Sequence, residues 1–296
     1  MASPEKEKLY TPSEWSKRYK PEEVMEQFMK FCTEVTEEVR ESIKCELDVP
    51  YGTTERTIYD IYGTDLPKDA PILVFIHGGY WQEFSKDLTG FSVPLFVKNK
   101  IKVITVEYDL CPNVRVSDII VQVKSACEQI LKYAADNGCK SVLISGHSAG
   151  AHLAASLLHD VEWMKRMEQQ GYLALLKGIV LIAGLYDIRP IVDVSHSAVL
   201  NFTDEEVKRI SWFLCDEPKE RIHGLKVIVT IGDCDSPAFI DDSCRYIQKI
   251  ISMVNNVEFH LLRDIDHFDI VEKLLDPDYV LAKSMLHCLQ SGTNTR

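Results

Sequence analysis

Apolar runs of strand length recur along the chain at 57–62, 72–76, 103–106, 142–145, 179–182, 227–231 and 257–262. Between several of them the period changes. In 117–135 the residues Ile119, Ile120, Val123, Cys127, Ile130, Leu131 and Ala134 fall three and four apart and make one stripe, the spacing of an amphipathic helix. Strand and helix signals that alternate predict βα crossovers, and therefore an α/β fold with a mostly parallel central sheet and helices on both faces. Ligand chemistry in such sheets collects at the carboxyl ends of the strands. At one such end the run "ILVFI" stops abruptly in His77-Gly78-Gly79-Tyr80-Trp81, a change that suits a backbone required to approach something closely.

Two stretches depart from the alternation. The first 50 residues carry Trp15, Tyr19, Phe28, Met29 and Phe31 in a Glu/Lys-rich background and read as helices, either a cap over the active edge of the sheet or an arm packed on the core. Residues 185–214 lack an obvious strand between two clear ones and are a second candidate cap insertion. With no Gly/Ser- or Pro-rich linker between them, residues 1–296 read as a single domain.

Composition narrows the partners. At 46% hydrophobic and 26% charged the chain has the material of a large core, and its formal charge of -12 opposes wrapping nucleic acid or docking on an anionic membrane. A small-molecule partner fits better. The charged start of the chain has no apolar signal region, and no run reaches the ~18 apolar residues that a bilayer requires, so a cytoplasmic location is expected. Nine cysteines without a CxxC spacing read as scattered thiols rather than disulfides or a zinc site, and the Asn201-Phe202-Thr203 sequon reads as accidental. The oligomeric state is not set by any of this, a homodimer being one option.

The chemistry-bearing segment is "SVLISGHSAGAHLAASLL". A strand that turns straight into a helix forces the central Ser148 of Gly146-His147-Ser148-Ala149-Gly150 into a strained bend. Such a bend needs nearly side-chain-free neighbours two residues away on either side. Ser148 therefore reads as a nucleophile, with the Ala149 amide beside it as one oxyanion donor. Gly78 and Gly79 are the natural source of the second donor, and His77 reads as an anchor of their loop. A serine hydroxyl also needs a base and an orienting acid. His260 lies in a strand-like run and His287 in a terminal helical one, whereas His267 sits in the loop "RDIDHFDI" and is the best-placed base. For the acid, "VIVTIGDCDSPAF" offers Asp233 and Asp235; spacing alone permits both, with the loop geometry mildly favouring Asp235. Asp264, Asp266 and Asp269 are expected to be solvated.

These segments resemble the α/β-hydrolase superfamily, its hormone-sensitive-lipase-like branch, and within that branch the kynurenine formamidases. The resemblance rests on "HGGYW" at 77–81, "EYDLCP" at 107–112, "SGHSAGAHL" at 145–153, "GDCDSP" at 232–237 and "DIDHFDI" at 264–270. It implies Ser148 as nucleophile, Asp235 as acid, His267 as base, and Gly78, Gly79 and Ala149 as oxyanion donors. It further implies hydrolysis of N-formyl-L-kynurenine to L-kynurenine and formate in tryptophan catabolism, with no metal or organic cofactor. Tyr80 replaces the third glycine usual in the wider branch, which argues against bulky-ester lipase activity. Because the formyl group is tiny, specificity must lie on the leaving side, where Tyr80, Trp81 and Phe268 are candidate walls of an aryl pocket. The alternatives are a short-acyl carboxylesterase and a non-catalytic binding protein on the same fold.

Overall fold

The computed structural model describes residues 2–218 and 221–291. Eight strands, β1 (Cys45–Pro50), β2 (Ile58–Tyr62), β3 (Ile72–Ile76), β4 (Lys102–Val106), β5 (Val142–His147), β6 (Leu176–Ile182), β7 (Ile222–Gly232) and β8 (Val254–Leu262), form one sheet among the described residues. Their order is β1-β2-β4-β3-β5-β6-β7-β8. From β4 onward the pairs are parallel, while β1 and β2 join antiparallel at one edge. The helices are α1 (Pro4–Leu9), α2 (Pro21–Ser42), α3 (Pro94–Lys98), α4 (Val116–Asp136), α5 (Ala149–Ala155), α6 (Val161–Gln169), α7 (Asp204–Ile210), α8 (Pro237–Met253), α9 (Asp269–Glu272) and α10 (Val280–Ser291).

Strands β3, β4 and β5 are buried along their whole length, as strands covered on both faces must be. That burial explains why they read as unbroken apolar runs. β1 is the correction to the expectation that the first 50 residues are helical. It is an edge strand with most positions exposed, so it carries no apolar run to reveal it. Residues 185–214 contain α7 and short 3₁₀ turns, and no strand.

Helix α2 buries Val24, Phe28, Cys32, Thr36 and Val39, a face repeating at three- and four-residue steps. It lies directly on the backbone at Gly90, whose amide donates to the Thr36 hydroxyl at 3.0 Å. A Cβ at Gly90 would fall 2.5 Å from the Thr36 Cα and 2.8 Å from its nitrogen, so the contact depends on the missing side chain.

Behind α5 runs a column of rings. Trp81 meets His152 edge-on at 5.0 Å, His152 stacks on Trp212 at 4.8 Å, and Trp212 stacks on His159 at 5.2 Å. Tyr246 follows, stacked in turn on Tyr186 at 3.8 Å. His152 donates from Nε2 to the Ile210 carbonyl at 2.8 Å, and Trp212 donates to the His152 carbonyl at 3.0 Å. Burial pushes His152 down to about 4. Burial, then the Lys249 and other nearby charges, push His159 down to about 3.

Two outcomes follow from this packing. Gly90→Val should force α2 off the core and cost about 1–3 kcal/mol, read as a lower urea midpoint; an unchanged midpoint would mean that the helix moves freely. Both column histidines stay neutral in the fold but gain protons in the unfolded chain below about pH 6.5. Their contribution is therefore full above about pH 6.5 and is lost as the pH falls from there towards 4 and 3. Denaturant midpoints measured from pH 7 to 4 should fall, and fall less steeply in His159→Phe; parallel curves would refute the assignment.

Candidate active site

The bend between β5 and α5 sets the site. Ser148 stands at φ 54° and ψ −119°, a conformation that L-residues rarely adopt. A Cβ at Gly146 would lie 2.1 Å from the Gly150 carbonyl oxygen, and one at Gly150 would lie 2.2 and 2.4 Å from the carbonyl oxygens of Ile76 and His77. Neither glycine can be replaced without moving backbone. The Ser148 amide donates to the Ile182 carbonyl at 2.8 Å, so it is not free for a substrate.

The loop after β3 comes up against this bend. A Cβ on Gly78 would sit 3.1 Å from the Ser148 Cβ, and Gly79, at φ 103°, has the Glu83 carbonyl where a side chain would go, at 2.2 Å. The amides of Gly78, Gly79 and Ala149 have no backbone acceptor among the described residues. The loop is held from behind. His77 bridges the Gly78 carbonyl at 2.8 Å and Glu107 at 3.2 Å, and it stacks on Tyr108 at 4.1 Å. Arg56 also pairs with Glu107 and donates to the Phe84 carbonyl at 2.9 Å. Burial by itself would raise the Glu107 carboxyl, but His77, Arg56 and the Lys86 amide hold it below the usual range.

The loops after β7 and β8 are folded into each other. The Cys234 amide donates to the Ile265 carbonyl at 2.9 Å, the Asp233 amide to the Leu262 carbonyl at 2.9 Å, and the Asp264 amide to the Asp233 carboxylate at 2.8 Å. Asp233 is thus engaged with loop backbone, and it is Asp235 that reaches His267, with Oδ2 to Nδ1 at 2.6 Å. Both side chains are nearly sealed from solvent, at 0% and 4% exposed. With Nδ1 donating to the carboxylate, Nε2 is the basic nitrogen. Asp233, Cys234 and Asp264 lie close enough together for a metal ion, but two of them are exposed and Lys17 stands beside Cys234.

Ser148 and His267 line one cavity of about 210 Å³, with no hydrogen bond between them among the described residues. Gly79, Tyr80 and Phe268 line it too. Trp81 does not. It is fully buried in the ring column, with its ring edge-on to that of Tyr80 at 6.1 Å. The expectation for Trp81 as a pocket wall is therefore corrected. His260 pairs with Glu258, and His287 belongs to α10; neither lines the cavity.

Asp266 and Asp269 also differ from expectation, because both are buried. Asp266 accepts from the Phe268 and Asp269 amides at 2.9 and 2.8 Å, and from Ser16 and Arg18 of the N-terminal segment at 2.6 and 2.8 Å. Burial opposes its charge, yet Arg18 and Ser16 hold its carboxyl far below the usual range. Asp269, raised by burial and by Asp266, is the protonatable partner. Only a contact between residues 250 apart could hide Asp266, and local spacing carries no sign of it.

Several cavity residues have no motif to announce them. Tyr10, Thr11, Pro12 and Ser13 from the N-terminal segment, Met25 and Phe28 from α2, and His196 from the 185–214 stretch all line the cavity. Tyr80 donates its hydroxyl to the Tyr10 carbonyl at 2.7 Å. His147, next to the bend, donates from Nε2 to the His267 carbonyl at 2.8 Å, and burial, then the neighbouring His267, hold it well below its usual pKa. It thereby steadies the loop of His267 without adding a second positive charge.

The BD-FAE family model matches residues 59–240. Kynurenine formamidase from Danio rerio is 33% identical over 97% of this chain and 96% of its own length, and that from Salmo salar is 32% identical over the same shares. The Drosophila melanogaster kynurenine formamidase is 27% identical over 84% of each chain. Among solved structures, a candidate thioesterase from Silicibacter superposes with TM-score 0.76 at 24% identity, covering 94% of this chain and 97% of its own. An esterase from Pyrobaculum calidifontis superposes at 0.63 and 14% identity, covering 99% of each. The chain has the α/β-hydrolase fold, and it is a hydrolase that belongs to the kynurenine formamidase family.

Proposed function

We propose that the enzyme hydrolyses N-formyl-L-kynurenine to L-kynurenine and formate, a step of tryptophan catabolism, through Ser148, His267 and Asp235. The observation that carries this reading is the buried Asp235–His267 pair opening into the same cavity as a serine held at a strained bend. Family membership supplies the substrate class.

The residues act in sequence. Ser148 Oγ attacks the formyl carbon while His267 Nε2 takes its proton, and Asp235 steadies the resulting imidazolium. Charge develops on the formyl oxygen, where the free amides of Gly78, Gly79 and Ala149 stabilise it. The C–N bond then breaks as His267 passes the proton to the departing aryl amine, leaving a formyl ester on Ser148. Water enters, gives a proton to His267 and attacks that ester, and formate leaves as the proton returns to Ser148. The aryl ring has a counterpart in the apolar lining of Phe28, Phe84, Phe268 and Tyr80. Residues 10–13 and His196 act as a cap over this lining, in keeping with their place in the cavity wall.

The same machinery would cleave a short-acyl ester, so turnover of N-formyl-L-kynurenine against a short-acyl aryl ester is the deciding measurement; a large preference for the ester would overturn the reading. Ser148→Ala should lose about 10³–10⁶-fold in kcat while remaining folded, and should no longer be labelled by an activated phosphonate. Near-normal activity would exclude Ser148 as nucleophile. Asp235→Asn should lose far more activity than Asp233→Asn; equal losses would leave Asp235 without a special part.

A further inference from the structure

The walls of the cavity are not uniform. His147, Ser148 and His267 share them with the rings of Tyr10, Phe28, Tyr80, Phe84 and Phe268, and the remaining polar side chains are Thr11, Ser13, Gln82, Glu83 and His196. Setting the histidines aside, Glu83 is the one charged side chain among the described lining residues. Among the described residues no lysine or arginine lines the cavity.

Glu83 differs from the other acidic groups near the site. Asp235, Asp266 and Glu107 are buried and engaged, whereas Glu83 is exposed and, among the described residues, no hydrogen bond or ion pair takes up its carboxylate. Its backbone, in contrast, is fixed. The Glu83 amide donates to the Gly79 carbonyl at 2.9 Å, its own carbonyl packs against the Gly79 Cα, and Arg56 pins the next carbonyl, that of Phe84, at 2.9 Å. An uncommitted carboxylate is therefore carried by the same rigid loop as the oxyanion amides, at an exposed edge of the cavity. A chain of net charge -12 adds a long-range field that draws cations there.

We propose that Glu83 anchors a subsite for a primary ammonium group, so that the enzyme recognises the cationic end of an α-amino-acid head group, while its carboxylate meets only neutral donors such as Ser13 and Thr11 or solvent. This rests on the formamidase reading for the identity of the substrate, but not for the subsite itself. The preferred class is then aryl formamides that carry an alkylammonium side chain. Removing the amine should cost more than removing the carboxylate.

The test compares wild type with Glu83→Gln on N-formyl-L-kynurenine and on formanilide, which lacks the head group. A partly solvated ion pair predicts that the ratio of kcat/KM between the two falls about five- to tenfold in the variant, through KM rather than kcat. Added salt should erode the wild-type ratio and leave that of the variant nearly flat. An unchanged ratio, or one that changes only through kcat, overturns the subsite. Inhibition of ester hydrolysis by 3-phenylpropylamine against 3-phenylpropanol reads the same subsite without any formamide. Tighter binding of the amine that disappears in Glu83→Gln supports it, and equal inhibition by both in the wild type refutes it. If the amine is preferred but N-formyl-L-kynurenine is not turned over, the substrate assignment fails and the subsite stands.

Discussion

Everything at the site is built around one disallowed-looking turn. Ser148 at φ 54° is tolerated because its neighbours are pressed from several sides, with Gly150 on the carbonyls at the end of β3, Gly146 on Gly150, and the Ser148 amide tied to β6. The three central strands thus share one knot of backbone. Once that knot is tied, the Gly78 amide and the serine side chain are neighbours by construction. Strain held by surrounding packing keeps the hydroxyl in place without any partner of its own.

Electrostatics around the knot are settled by paired carboxylates and a neutral histidine. His77 and Arg56 hold Glu107 low, Arg18 and Ser16 do so for Asp266, and each carboxylate spends its charge on holding a loop. His147 is kept neutral beside His267. His267 therefore has a carboxylate on one side and a neutral imidazole on the other, surroundings that suit the part proposed for it.

The fold and the bend at Ser148 are legible because their signals are local. Buried parallel strands must be apolar throughout, and a strand that reverses into a helix must place glycines two residues either side of its apex, so β3, β5 and Ser148 announce themselves. The choice between Asp233 and Asp235 was not local, since it depends on how the loops after β7 and β8 interlock at Gly232 and Ile265. Trp81 was misread for a related reason. An aromatic following a glycine pair looks available to a ligand, and only the ring column behind α5 shows that its position is taken. Asp266 looked solvated because its arginine lies 248 residues away, and β1 was hidden by the mixed polarity that any edge strand shares.

The N-terminal segment has a property that the rest of the wall lacks. Residues 17–20 run exposed between the stretch that faces the cavity and helix α2, which is anchored on the core. Arg18 sits in that bridge and donates from its guanidinium to Asp266 and Glu272, so the bridge fastens the cavity wall to the segment that carries His267. Removing that one guanidinium would loosen the Tyr10–Ser13 side of the cavity while leaving all eight strands joined, so the fold would outlast the shape of the cavity.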